Sequence, residues 1–124
     1  MNEIREYRGM RIDNGKWIYG DLMHNTDGQA IIGSLFFSMK KVIPETVGQC
    51  IGKKDINGKK VFDGDIVKLY LKDLLMEIGH IEFDEKTYRY VFVEESGTSF
   101  GIDDTVELEV LGTVYENPEL LGGK

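Results

Sequence analysis

Apolar and polar positions alternate with a period of two along much of this chain, most cleanly in its C-terminal half. Val106, Leu108 and Val110 alternate with Glu107 and Glu109, which predicts a strand with one apolar and one acidic face. Tyr88, Tyr90 and Phe92 alternate with Arg89, Val91 and Val93, so that segment is expected to be covered on both faces or to lie across a barrel. Residues 66–71, directly after Gly64-Asp65, are mostly apolar and rich in β-formers. Ile78, Ile81 and Phe83 mark a further strand that ends at the turn Asp84-Glu85-Lys86. Helical periodicity is weak everywhere. Leu74, Leu75 and Ile78 have helical spacing within residues 72–78, enough for a turn or two, and the same segment fits a bend between strands. Asn117-Pro118 ahead of Glu119-Leu120-Leu121 fits a short helical cap, with proline at its first position and Gly122-Gly123 releasing the end.

Short apolar runs with fifteen glycines and only two prolines among them describe many strands joined by tight turns. Asn14-Gly15 and Asn57-Gly58 suit the two successive positive φ angles of a type I′ hairpin, and Asp27-Gly28 is a third turn signal. No internal repeat, low-complexity stretch or linker is evident. The least regular stretch, residues 38–46 around Pro44, is expected to join an N-terminal β subdomain, roughly 1–46, to a C-terminal small barrel, roughly 47–124. The expected architecture is all-β with little helix.

A length of 124 residues fits one domain. Twenty-two acids against fifteen bases leave a net charge of −7, which repels phosphate backbones and anionic membranes. Cys50 is the only cysteine, so no intramolecular disulfide can form. The N-terminal stretch is charged and lacks the apolar run of a signal peptide, and the longest apolar candidate, residues 31–39, is too short to span a bilayer. These features together favour a reducing cytoplasm.

Three stretches resemble the YopX family of phage and prophage proteins: YRGMRIDNGKWIYGDL, GKKDINGKKVFDGDIVKL and VLGTVYENPELL. Their order and spacing agree with the family across nearly the whole chain, while residues 71–104 match only in general β character. The family's aromatic near Cys50 and leucine near Lys53 are missing. The resemblance implies a mostly β fold whose C-terminal part is a small barrel of the Src-homology-3-like type. It also implies a cytoplasmic protein of unknown biochemical role, encoded by a phage or prophage in a bacterial host. It brings no catalytic residue, cofactor or metal, and the recurring residues read as fold punctuation.

In Gly64-Asp65 the glycine makes a turn, and the carboxylate is expected to bond amides that the turn leaves unpaired. Asp55-Ile56-Asn57-Gly58-Lys59 opens like a calcium loop, but Lys59 and Ile66 stand where oxygen ligands are needed, so a hairpin turn is expected instead. His24 and His80 are the only histidines. With Cys50 and Asp21 they lack the close ligand pair that nucleates a zinc site. Cys50 has no activating base beside it and reads as a small packed side chain. Tyr7, Trp17, Tyr19, Tyr88, Tyr90 and Phe92 are expected to fill a small core. Lys53, Lys54, Lys59, Lys60 and Lys68 cluster near the second motif, yet Asp55, Asp63 and Asp65 interleave with them and weaken a nucleic-acid reading. Glu94, Glu95, Asp103, Asp104, Glu107 and Glu109 form an acidic tract, suited to imitating DNA phosphates or to keeping a β edge soluble.

The expected function is therefore a non-enzymatic binding or structural module acting through protein–protein contacts, with itself as a homo-oligomer or with a host or phage protein. The alternatives are a nucleic-acid-associated accessory protein, including an acidic DNA mimic, and a small hydrolase-type enzyme with a site around His24, Asp21 and Tyr19.

Overall fold

In the computed structural model the described residues are 6–34, 38–71 and 74–121, the side chains of residues 74–76 excepted. The fold is nearly all β, in two antiparallel sheets, with two short 3₁₀ turns and no α-helix among the described residues. The chain divides into two compact units, Met1–Gly52 and Lys53–Lys124.

The first unit holds β1 (Tyr7–Met10), β2 (Trp17–His24), β3 (Ala30–Gly33), β4 (Lys40–Lys41) and the start of β5 (Gly48–Lys54), in the order β4-β3-β2-β1-β5. Strand β2 pairs with β1 through residues 17–20 and with β3 through residues 21–24. At the changeover Gly20 has φ of 148° and lies so close to the Gly33 carbonyl that a Cβ there would collide with it. Ala30, Ile32 and Val42 form the core, with Tyr7, Ile18, Leu22 and Val47 packed on it. The segment expected to be irregular is tied down. Val42 donates its amide to Ala30 O and Ile43 to Met10 O, and a 3₁₀ turn, Pro44–Thr46, offers the Thr46 hydroxyl to the Met10 amide at 2.9 Å. Arg8 is buried, and its guanidinium carbon lies 4.4 Å from the Trp17 ring centroid. The first resemblance motif thus supplies packing.

Strand β6 (Lys60–Phe62) neighbours β5 in its ladder. The second unit's own sheet comprises β7 (Asp65–Leu71), β8 (Leu74–Asp84), β9 (Arg89–Glu94), β10 (Ser99–Gly101) and β11 (Val106–Thr113), ordered β10-β9-β8-β7-β11. Four strands run as a meander and the fifth returns beside the first. Strands β10 and β11 are the sheet's two edges, so no hydrogen-bonded ladder closes a barrel among the described residues. Ile66 and Val67 are both fully buried although they point to opposite faces, and so nearly are Val91 and Phe92, as the two-sided apolar pattern predicts. From Leu74 onward the segment with helical spacing is strand: Leu74 pairs with Leu71, and cross-strand bonding to β7 overrides a weak local preference. Residues 72, 73, 122 and 123, on which the bend and the glycine release were placed, lie outside the described residues.

The turn glycines are where expected, but the turns differ in type. Asp55 N–H donates to Lys59 O, Gly58 N–H to Asp55 O, and only Gly58 has positive φ, 83°. Residues 25–29 repeat this pattern, closing on Gly28 with φ of 80°. These are three-residue loops ending in a glycine bulge, not type I′ turns. The cause is the side chain that opens each loop: Asn25 Oδ1 accepts from Asp27 N and Gln29 N, and Asp55 Oδ1 from Asn57 N and Lys59 N. That holds the middle of the loop right-handed. At Asn14-Gly15 likewise only the glycine is left-handed, with φ of 72°.

The second and third motifs meet at the end of this sheet. Gly64, at φ of 93°, leaves space that the Tyr115 ring occupies, and its carbonyl accepts from Val114 N. Asn117 Oδ1 accepts from Thr113 N at 3.2 Å, and Thr113 Oγ1 accepts from the amides of Tyr115 and Glu116. The expected cap follows as a 3₁₀ turn, Pro118–Leu121. Gly112 has no room for a side chain, because a Cβ would meet the Asn117 carboxamide. In chemical denaturation Asn117→Ala should cost about 1 kcal/mol and Gly112→Ala about 2. The double variant should cost clearly less than their sum, since removing the carboxamide clears the space.

Candidate functional site

Two aspartates singled out for chemistry, Asp65 and Asp55, hold the backbone. Asp65, 1% exposed, accepts the Phe62 amide at 2.8 Å through Oδ2, so it closes the Gly64 turn as expected. Asp55 is also buried, and its second oxygen accepts from Val110 N at 2.9 Å while Ile56 N donates to Leu108 O. The hairpin tip is thereby strapped to β11 at the bulge between Val110 and Gly112. Burial works to raise the Asp55 carboxyl, but the amides of Val110, Lys59 and Asn57 outweigh it and hold the group below the usual carboxylate range. Both oxygens of this carboxylate are thus engaged by backbone amides.

The residues of the alternative enzymatic reading share one strand. Tyr19, Asp21 and His24 are solvent-exposed along β2, and His24 stands opposite Ala30 at its end. His80 lies on β8 with Nε2 2.9 Å from Glu82 Oε1, two residues along the same face. Cys50 is buried. Among the described residues no group of three or more His, Cys, Asp or Glu side chains converges. Lys53 and Lys54 end β5 and Lys59 and Lys60 lead into β6, while Lys68 stands opposite Glu109 in the β7–β11 register.

The aromatic residues divide. Phe92 is fully buried, with the Phe100 ring 6.3 Å away, and Phe83 and Tyr90 meet edge to face at 5.2 Å. Tyr19 stands exposed, and Tyr88, 80% exposed, turns the chain after the Asp84 loop with φ of 58°. The expectation of core rings therefore holds for Phe92 and fails for Tyr19 and Tyr88.

The acidic tract is used in loops and cross-strand contacts. Asp103 accepts from the hydroxyl and amide of Thr105, and these bonds keep its carboxyl below the usual range. Glu109 accepts from the Tyr70 phenol at 2.9 Å, which raises that phenol's pKa.

A mainly apolar cavity of about 290 Å³ lies within the second unit. Its apolar wall comes from Leu69 and Leu71 of β7, Phe92 of β9, Phe100 of β10 and Val106 of β11, and Glu77 and Asp103 add carboxylates. Glu77 pairs with Leu69 and shares its side of β8 with Gly79 and Ile81. A carboxylate thus occupies a core-facing register position, yet it is exposed, because the sheet is open there. Sequence reasoning missed this site because its walls come from four strands. Each wall residue reads separately as ordinary core, and Glu77 falls in the segment with helical spacing.

The model of the family described as YopX protein matches residues 6–122. No curated protein matches the chain.

Proposed function

The chain belongs to the YopX family, and from that premise we propose that it is a non-enzymatic binding module, encoded by a phage or prophage, that acts in the bacterial cytoplasm through protein–protein contacts. In this reading the second unit is a Src-homology-3-like small barrel left open between β10 and β11. The connectivity supports it: a four-strand meander with a fifth strand returning beside the first. The observation that carries the functional reading is the apolar cavity, lined from both edge strands and reachable by solvent. The glycines, Asp55, Asp65 and Asn117 of the shared motifs hold turns and bulges that shape this unit. Self-association through the same edges gives the homo-oligomer.

A photo-crosslinking residue at the exposed Asp104, beside the cavity, tests the reading in the organism that encodes the protein. The expected result is one discrete protein adduct, absent when the crosslinker replaces the exposed Ile12 of the first unit. An adduct of twice the chain mass identifies a second copy as the partner. No adduct, or the same smear from both positions, overturns the reading. Single- and double-stranded oligonucleotides at low salt should give a flat anisotropy titration. Binding that weakens steeply with salt would transfer the function to nucleic acid.

A further inference from the structure

We propose that the cavity of the second unit receives one apolar side chain, of phenylalanine or leucine size, from a peptide segment that carries lysine or arginine beside it. The proposal rests on the binding-module reading and adds the chemistry of the partner.

Size sets the first limit. A benzene-sized ring fills about 150 Å³ of an apolar cavity, and small-molecule pockets run from about 300 Å³ upward. At about 290 Å³ the space suits one ring with the start of its backbone, not a nucleotide-sized cofactor. The walls set the second limit. Leu69, Leu71 and Val106 are aliphatic, and the Phe92 and Phe100 rings are tilted by 35°, a surface that gains by burial and by ring contact.

Charge sets the third. Two carboxylates, Glu77 and Asp103, belong to the lining, and no lysine or arginine among the described residues does. Glu77 stands on the same sheet side as the apolar wall, so a residue seated against Phe92 and Leu69 brings its chain neighbours to that carboxylate. Asp103 is already oriented by Thr105, and with Arg89 and Lys53 among its charged neighbours it is the weaker of the two attractors, so Glu77 contributes the larger share. A net charge of −7 for the chain draws a basic segment in and repels an acidic one.

Three capped tripeptides test this by following the methyl NMR signals of Leu69, Leu71 and Val106 in the full chain. Acetyl-Lys-Phe-Lys-amide should shift those methyls in a saturable way. Acetyl-Lys-Ala-Lys-amide should not, and acetyl-Glu-Phe-Glu-amide should bind about fivefold more weakly, the difference two exposed charge pairs supply. Glu77→Lys should bring the two phenylalanine peptides to about equal affinity, because Asp103 still favours the basic one, while Glu77→Gln should narrow the gap with the fold intact. Equal binding of both phenylalanine peptides to the native chain, shifts confined to other methyls, or no shift at all would overturn the proposal. So would phenethylamine binding as tightly as the basic peptide, which would make the occupant a small amine. A discrete adduct from Asp104 without tripeptide binding leaves the module reading standing and removes only the partner's chemistry.

Discussion

Gly79→Ala is expected to destabilise the second unit by about 3 kcal/mol or more. Gly79 lies in the middle of β8, paired with Val67 on one side and Glu94 on the other. A Cβ there would collide with the Val93 carbonyl oxygen and stand 2.8 Å from the Phe92 ring. Its backbone is not in the left-handed region, so the penalty is purely steric. A carbonyl belonging to the sheet cannot step aside without breaking its ladder. Gly58 makes the useful contrast: it has open space around it but φ of 83°, and alanine there should cost only about 1 kcal/mol. Thermal melting followed by circular dichroism separates them, with a fall of more than about 10 °C expected for Gly79→Ala. Adding Phe92→Leu should recover little, because it frees the ring contact and leaves the carbonyl clash. Equal losses for Gly79→Ala and Gly58→Ala would mean that β8 and β9 do not approach as described. The same glycine also bears on the cavity, since it makes room for the Phe92 ring that forms part of the wall.

What could be read in the sequence was local. The alternation at residues 106–110 produced a strand with Leu108 fully buried and Glu107 exposed. The two-sided pattern at residues 88–93 was fully covered on both faces only at Val91 and Phe92, with Tyr88 and Arg89 exposed. Glycine marked the turns at Gly15, Gly28 and Gly58, because only glycine enters the left-handed region without strain, whereas the loop after Asp84 places Tyr88 there, with φ of 58°. The turn type was not legible from the Asn-Gly pair, since it depends on the side chain two or three positions earlier. Asp55 and Asn25 accept the loop amides and so favour right-handed central residues. Sheet closure was not legible either. Whether β10 meets β11 is a pairing between segments that no periodicity couples, and the two remain as edges. The candidate site depended on just that. Leu69, Phe92, Phe100 and Val106 become cavity walls, rather than sealed core, because the edges stay apart. Glu77 was the one local anomaly, an acid in an inward register position, but helical spacing at Leu74, Leu75 and Ile78 hid the strand that gives it meaning.

Asp55→Ala should cost about 3 kcal/mol, and the conservative Asp55→Asn nearly as much, which distinguishes this carboxylate from an ordinary turn residue. Its Oδ1 accepts from Asn57 and Lys59, and its Oδ2 from Val110, with all three bonds between 2.8 and 2.9 Å. Alanine leaves three amides without their acceptor, one of them at the β11 bulge, at about 1 kcal/mol or more for each. Asparagine offers one acceptor oxygen and one NH₂ group, so either the hairpin amides or the Val110 amide would face a donor. Protonation does part of the same damage. Because the folded protein holds this carboxyl below its ordinary value of 3.8, the stabilisation is complete above that value. It is lost as pH falls through the lower folded value, where the unfolded chain has already taken up the proton. Denaturant midpoints measured from pH 6 downward should therefore decline below about pH 4 in the native chain. They should decline less steeply in Asp55→Asn, whose side chain does not titrate. Identical acid slopes for the two proteins would show that Asp55 is not held as a carboxylate by those amides. The strap between the hairpin tip and β11, on which the shape of the cavity's edge strand depends, would then need another anchor.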